Sequence, residues 1–172
     1  AADIVEEMDP GAAADLLGDL TEARSGQILR EMAPAERQEV AQLLEFGERT
    51  AAGRMTTEFL AIAADDTVHA AIEALKAFEG GHEALATIFL VGPGQQLIGA
   101  VPLVKIAISS PVVPLLDLRD DVVACAPDTP DNEVAALFDK YNLTTLPVVD
   151  EHGRIAGIIT ADDVITMLRH RR

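Results

Sequence analysis

The 172-residue chain has few aromatic residues and a single cysteine. It contains no Trp, one Tyr and five Phe, so it lacks the stacking platforms that single-strand nucleic-acid binders and carbohydrate binders use. Cys125 stands alone, which excludes a disulfide framework and a zinc site built from several cysteines. The lack of a second cysteine fits a reducing compartment, and 49% apolar residues are enough to bury a core.

Basic residues are also scarce. Lys and Arg number 13 against 29 Asp and Glu, which gives a formal net charge of −16. A broad basic face for nucleic acid or for an anionic membrane surface is excluded, because every phosphate contact would be made against a repulsive background. The same excess of acidic residues favours cationic partners, metal ions included.

The sequence shows no targeting signal and no clear membrane span. It begins Ala1-Ala2-Asp3 without a basic n-region or an apolar h-region, and we expect an excised fragment without a secretory signal. Residues 97–116 are mostly apolar and about as long as a bilayer requires, but they include Lys105 and three prolines. We interpret them as a strand, a helix and a linker.

A twelve-residue period runs through the first fifty residues, in which Ile4, Leu16, Ile28 and Val40 align. Apolar residues stand at i, i+1 and i+4 of each unit, and an α-helix gathers these positions on one face. Asp-Pro, Thr-Glu and Ala-Pro pairs between the units restart helices. We predict four short helices over residues 3–46, stacked as a solenoid. The first fifty residues carry 12 acidic and 4 basic side chains, which form a polar outer face.

From residue 54 onward, short β-branched runs alternate with helical segments, and the whole pattern occurs twice. Residues 97–101, for example, recur as 155–159. Each copy reads strand, helix, strand, turn, strand, helix, and the first copy has a short insertion that falls most simply within residues 79–85. Such a unit forms a small mixed sheet with helices on one face. The sequence therefore predicts an α+β fold.

The duplicated unit resembles the CBS domain. The residues that carry this resemblance are Thr56, Leu146-Pro147-Val148-Val149-Asp150, Gly157-Ile158-Ile159-Thr160 and Asp162-Asp163. With the helical repeat and the sequence TAAGRMTTE at 50–58, the chain as a whole is similar to the cytosolic part of the MgtE-type magnesium transporter and channel family. In that family an acidic helical N domain leads into a pair of CBS domains. The resemblance implies a superhelical N-terminal domain of short helices over 1–53 and tandem CBS domains over 54–112 and 113–172.

The resemblance also implies a regulatory function and no enzymatic one. In the family, Mg²⁺ ions bound between the acidic N domain and the CBS pair keep the cytosolic part compact, and this closes a pore of transmembrane helices. We therefore expect a Mg²⁺-sensing domain at the cytoplasmic face of the cell membrane. It would be a homodimer through its CBS pairs, joined to a transmembrane domain of the same full-length chain. Mg²⁺ takes oxygen ligands and keeps several waters, so a few carboxylates on two opposed surfaces are enough.

The family's metal ligands can be carried over to positions of this sequence. They are Asp15 on the helical repeat, the carbonyl of Gly53 at the domain junction and Asp163 at the start of the last helix, with Asp162 and Asp9 as further candidates. Asp163 and Asp9 also have structural interpretations, because a carboxylate is favoured in the first turn of a helix and at an N-cap. A further acidic position of the family is Asn142 here, which removes one charge and leaves the number of sites open.

CBS pairs often bind adenine nucleotides through a Gly-x-x-Thr/Ser-x-x-Asp pattern, whose Asp accepts hydrogen bonds from the ribose hydroxyls. The second copy has this pattern, with Thr160 and Asp163 as candidate nucleotide-binding residues. Pro102 and Lys105 stand at the corresponding positions of the first copy. We therefore do not expect an adenine nucleotide as a ligand. The alternative interpretation is a stand-alone CBS-pair protein that binds such a nucleotide and regulates a partner protein.

No catalytic apparatus is visible in the sequence. The four histidines, His69, His82, His152 and His170, lack a metal-binding or His/Cys spacing, and there is no G-x-x-x-x-G-K-[ST] loop. Cys125 falls in a short apolar stretch, so we predict a buried structural thiol.

The C-terminus, Arg169-His170-Arg171-Arg172, is the basic end of an acidic chain. It complements the dipole of a helix predicted over residues 162–168, or it marks the cytoplasmic side of a following membrane segment. Both interpretations stay open.

Overall fold

A stack of four α-helices forms the N-terminal part of the computed structural model, which describes residues 2–8, 10–18, 20, 22–45 and 49–169. The helices are α1 (Ala2–Glu6), α2 (Pro10–Gly18), α3 (Glu22–Glu31) and α4 (Pro34–Glu45). Proline opens α2 and α4, where its fixed φ suits the first helical position and its missing N–H is not needed. Helix α2 packs against α4, and α1 contacts α2 and α3. The prediction of four short helices is confirmed.

In the first two helices, the buried residues are not the ones that align in the twelve-residue repeat. Val5 and Leu17 are buried, whereas Ile4 and Leu16 remain 68% and 44% exposed. Neighbouring residues of a helix point about 100° apart, so the narrow contact between short helices covers only one of each pair. The twelve-residue period is right, but the i position of these two units faces outward.

The junction segment, residues 49–56, attaches the chain to the second copy before the first copy begins. It contains α5 (Ala51–Arg54), whose first amide donates to the carbonyl of Thr129 at 2.8 Å. In return the amide of Asp131 donates to the carbonyl of Arg49 at 3.0 Å. The predicted boundary between residues 53 and 54 lies inside this helix.

A buried ion pair reinforces the attachment. The guanidinium of Arg54 lies 3.2 Å and 3.5 Å from the two carboxylate oxygens of Asp131, and the Asp131 side chain is only 5% exposed. Sequence patterns did not indicate this contact, because it joins residues 77 positions apart.

The first copy contains a three-stranded sheet. Its elements in chain order are β1 (Ala61–Ala63), α6 (Val68–Ala77), β2 (Thr87–Val91), β3 (Leu97–Pro102) and α7 (Leu103–Ile108). Strand β2 lies in the middle, parallel to β1 and antiparallel to β3. A 3₁₀ turn at His82–Leu85 occupies the region predicted for the insertion. Residues 97–116 are β3, α7 and a connection, as predicted.

The second copy contains a two-stranded antiparallel sheet. Its elements are α8 (Asp131–Tyr141), β4 (Thr145–Val149), β5 (Ile155–Thr160) and α9 (Ala161–Arg169). The prediction of a first strand was wrong in this copy: within residues 113–169 the structure has only a parallel bridge between Cys125 and Val148 at that place. Pro127 follows two residues later and has no N–H to continue the ladder.

Each sheet is extended by a residue from outside its own copy's strands. Thr56 of the junction segment exchanges two backbone hydrogen bonds with Ile158 of β5, at 2.8 and 2.9 Å. Asp120, in the connection between the copies, exchanges two with Ala100 of β3, at 2.8 and 3.3 Å. In each case a connecting segment adds to the sheet of the other copy. These two segments border the two clefts that lie on opposite sides of the pair.

Among the residues that the structure describes, none of the helices has both the length and the apolar character needed to cross a membrane.

Candidate functional site

Four carboxylate side chains line a cleft of about 270 Å³ between the two copies, which we call the acidic cleft. They belong to Glu58, Glu83, Asp162 and Asp163, and the hydroxyl-bearing Thr56 and Thr160 stand among them. The pairing of Thr56 with β5 brings the junction segment beside the start of α9. Among the described residues, the lining of the acidic cleft includes no Lys, Arg or His, so the local potential is negative and favours a cation.

Asp163 is fixed by a capping box at the start of α9. Its Oδ2 accepts hydrogen bonds from the amide of Thr160 at 2.8 Å and from the Thr160 hydroxyl at 2.9 Å. The amide of Asp163 donates to the Thr160 hydroxyl oxygen at 3.3 Å. This reciprocal arrangement satisfies helix-terminal donors and holds the carboxylate at the edge of the acidic cleft. Asp162, the next residue toward the N-terminus, is exposed in the same turn.

The structure describes the other candidate metal ligands only in part. Asp15 lies on α2, but its side chain is outside the described part of the structure, and Asp9 lies outside the described residues altogether. Gly53 lies in α5 and is half-buried. Among the side chains that are described, no three Asp, Glu, His or Cys residues form a group that could hold a metal ion.

Two carboxylates of the acidic cleft were missed as candidates. The backbone amide of Glu58 donates to the Thr56 hydroxyl at 3.1 Å and closes a local turn. The Thr-x-Glu spacing in the sequence is typical of such a turn. Glu83 lies in the 3₁₀ turn of the insertion. No motif in the sequence signals that this insertion reaches α9.

A second cleft of about 390 Å³ lies on the other side of the pair, where the connection between the copies crosses β3, and we call it the linker cleft. Its walls include Phe89, Pro102, Val122 and Tyr141, and the acidic residues Asp120 and Asp121 also line it. The mixture of apolar walls and a few polar groups is typical of small-molecule sites.

Lys105 acts at this cleft by holding Asp120. Its ammonium donates to Oδ1 of Asp120 at 2.6 Å and to the carbonyl of Leu118 at 3.4 Å. Lys105 occupies the position that Asp163 has in the second copy. The preceding Pro102 has neither an N–H nor a hydroxyl, so the capping box of the second copy cannot form here.

Asn142 also lines the linker cleft. It ends α8 in the left-handed conformation, with φ 49° and ψ 47°, and its amide donates to the Phe138 carbonyl. Asn tolerates this conformation better than most residues do. The departure from an acidic residue therefore has a local structural use.

Cys125 is buried, as predicted. Burial raises the pKa of the thiol to about 11, and a hydrogen bond with the Thr129 side chain opposes part of this rise. The thiol stays protonated near neutral pH and is a poor nucleophile.

Two protein families match parts of the chain. Residues 1–49 match the MgtE intracellular N domain, and residues 115–170 match the CBS domain. Over 136 residues the chain is 35% identical to the magnesium transporter MgtE of Thermus thermophilus, which covers 78% of the chain and 30% of that transporter. The chain spans about a third of the length of the curated transporters it matches.

Solved structures of magnesium transporters share the architecture of nearly the whole chain. The soluble part of a magnesium transporter superposes with a TM-score of 0.80 at 28% identity, covering 99% of this chain and 67% of that one. The cytosolic domain of the Mg²⁺ channel MgtE in complex with ATP superposes with a TM-score of 0.76 at 31% identity, covering 96% of this chain and 68% of that one. Because that relative holds ATP, the expectation that an adenine nucleotide is not a ligand is weakened.

Proposed function

Because the chain belongs to the MgtE magnesium transporter family and represents its cytosolic regulatory part, we propose that it senses the intracellular Mg²⁺ concentration and gates a membrane pore. The family is one of transporters and not of enzymes. In this proposal the chain is joined to a transmembrane domain of the same polypeptide at the cytoplasmic face of the membrane.

The acidic cleft is the observation that carries the proposal. Four carboxylates line one cleft, and their mutual repulsion favours a divalent cation. Mg²⁺ binds through one or two carboxylates and keeps several waters, so such a site does not need three converging acidic side chains. The capping box engages Oδ2 of Asp163 with Thr160, which directs the proposed metal contact to Oδ1.

The sensing step requires the helical stack to approach the CBS pair. Asp15 on α2 and the carbonyl of Gly53 would supply oxygen ligands from the helical side, while Asp162 and Asp163 supply them from α9; Asp9 is a further proposed contributor. Mg²⁺ that binds the closed arrangement more tightly than the open one shifts the population toward closure by its differential affinity. Net repulsion within an acidic chain opposes closure without the ion.

Calorimetric titration and small-angle scattering of the chain test this proposal, with Mg²⁺ from zero to roughly 20 mM at constant ionic strength, above the weak-site range of divalent affinities. We expect saturable heat and a decrease in the radius of gyration. Asp162→Asn and Asp163→Asn should both weaken the response, and the Asn at 163 still accepts from Thr160. Asp139→Asn removes the same charge from an exposed position of α8 outside the cleft and is the matched control.

Two results would contradict sensing at this cleft. One is the absence of saturable heat and of compaction in the unaltered chain. The other is an equal response of the cleft variants and the Asp139→Asn control.

We also propose that the chain is a homodimer through its CBS pairs. Exposed apolar side chains on and after α7 support this proposal: Val104, Ile108 and Val112 are 63%, 80% and 78% exposed, and such groups mark interaction surfaces. Sedimentation velocity of Ile108→Glu should show a monomer if this surface forms the contact, and an unchanged dimer would place the contact elsewhere.

Binding of an adenine nucleotide is a second candidate function. The ATP complex of a relative at 31% identity favours it, and the linker cleft offers the volume and the apolar walls that a nucleoside requires.

A further inference from the structure

The linker cleft has a carboxylate whose position is fixed from two sides. The backbone of Asp120 is held on β3 by its two hydrogen bonds with Ala100, and its Oδ1 accepts from the Lys105 ammonium at 2.6 Å. Within the described residues, the ion pair with Lys105 engages only Oδ1 of Asp120. Asp120 lines the cleft and its side chain is 49% exposed, which leaves Oδ2 available to a ligand.

The duplication shows why the carboxylate comes from the connection and not from the helix. In the second copy Thr160 caps and orients Asp163. In the first copy Pro102 removes the capping groups, and a carboxylate at position 105 would have no donor to orient it. Lys105 reverses the charge there and orients the carboxylate of Asp120, which comes from the connection beside β3.

We infer that Asp120 is the ribose-binding carboxylate of the linker cleft, positioned by Lys105, and that the cleft takes a ribonucleoside with a free cis-diol. A carboxylate accepts hydrogen bonds from both hydroxyls of such a diol, and hydrogen bonds to a charged group are stronger than neutral ones. The base would pack against the apolar walls at Phe89 and Tyr141. This inference rests on the second candidate function above and is independent of Mg²⁺ sensing.

The inference predicts different effects for substitutions at two neighbouring carboxylates of the cleft. Asp120 is bonded to Lys105 and fixed on β3, whereas Asp121, which also lines the cleft, has no such contact with the lysine. Removing the charge at 120 should abolish recognition of the diol, and removing it at 121 should not. Asp121→Asn is therefore a matched control within the same cleft.

Thermal-shift and calorimetric titrations of the full 172-residue chain with adenosine, ATP and 2′,3′-dideoxyadenosine test the inference. We expect the unaltered chain to bind adenosine about tenfold more tightly than the dideoxy compound, given the strength of hydrogen bonds to a charged group. In Asp120→Asn this ratio should fall to near one, and in Lys105→Met it should fall part of the way. Asp121→Asn should keep the full ratio.

Four outcomes decide the inference. The expected pattern of ratios supports it. If the unaltered chain binds neither adenosine nor ATP, both the second candidate function and this inference are wrong. If it binds them but Asp120→Asn keeps the ratio, or if Asp121→Asn loses it, nucleotide binding stands and the assignment of Asp120 is overturned. Because the ratio compares two ligands of one variant, a general loss of stability does not mimic the expected result.

Discussion

Replacing Arg54 with Met tests whether the junction segment is held on the second copy by its buried ion pair. The substitution keeps most of the aliphatic stem and removes the cation that faces Asp131. The carboxylate, with 5% of its side chain exposed, is then left without its charge partner at the start of α8. We expect a clear loss of stability, because an unpaired buried charge is costly.

The geometry indicates the magnitude. Breaking a buried ion pair costs about 3–5 kcal/mol, but the two distances here, 3.2 and 3.5 Å, are longer than in the strongest charge-assisted bonds, and the Arg54 side chain is 28% exposed. We therefore expect Arg54→Met to lower the free energy of unfolding by about 2–3 kcal/mol, or Tm by about 4–12 °C for a chain of this size. Asp131→Asn should cost less, about 1–2 kcal/mol, because the partly exposed guanidinium of Arg54 can be hydrated and the amide oxygen of the Asn still accepts.

Urea unfolding followed by far-ultraviolet circular dichroism measures both variants, and amide hydrogen exchange at Ala51 reports on the junction directly. The exposed pair of Lys76 and Glu73, 2.9 Å apart on α6, supplies the control, since Lys76→Met should leave the unfolding midpoint unchanged. The reasoning is refuted if Arg54→Met unfolds like this control, or if Asp131→Asn is the more damaging of the two.

Three further predictions concern single positions. Gly157→Ala should destabilise the chain by about 1–3 kcal/mol, since the new Cβ would lie 2.8 Å from the Thr56 carbonyl oxygen. Gly92→Ala, whose nearest new contact is Ile98 Cγ2 at 3.5 Å, should be nearly neutral in the same melting assay. Cys125 should react with iodoacetamide at pH 8 only as fast as the chain opens. The raised pKa of its thiol adds stability to the folded chain below the pKa of the unfolded thiol. This added stability should decline from about pH 9 to pH 11. Asn142→Ala should lower stability by about 1–2 kcal/mol because φ is 49°, Asn142→Gly should restore most of it, and equal melting of the two variants would contradict this account.

Local patterns predicted much of the fold. The twelve-residue period predicted four helices because each unit carries its own start signal and its own apolar face. The spacing of Thr160 and Asp163 was interpreted through the nucleotide-binding pattern, and the structure shows that the same spacing also forms a capping box. One pair of residues thus fits two explanations, and only the geometry shows which hydrogen bonds are made.

Contacts between distant segments were not predictable in this way. Three such contacts depend on where the chain crosses between the copies. They are the ion pair of Arg54 with Asp131, the position of Glu83 in the acidic cleft, and the ion pair of Lys105 with Asp120. Periodicity describes which face of an element is buried and carries no information on which distant segment covers it. The missing first strand of the second copy has a local cause instead, because Pro127 has no N–H to continue the ladder beyond the bridge at Cys125.

The crossing of the junction segment also sets an order of events during synthesis. Arg54 is made 77 residues before Asp131, which at 5–20 residues per second is an interval of about 4–15 s. During that interval the junction segment has no second copy to pair with, and the edge of β3 that faces away from β2 stays unpaired at Ala100 until Asp120 is made. We therefore expect the two copies to fold together as one cooperative unit only after the second copy has been made, although each looks like a separate domain in the sequence.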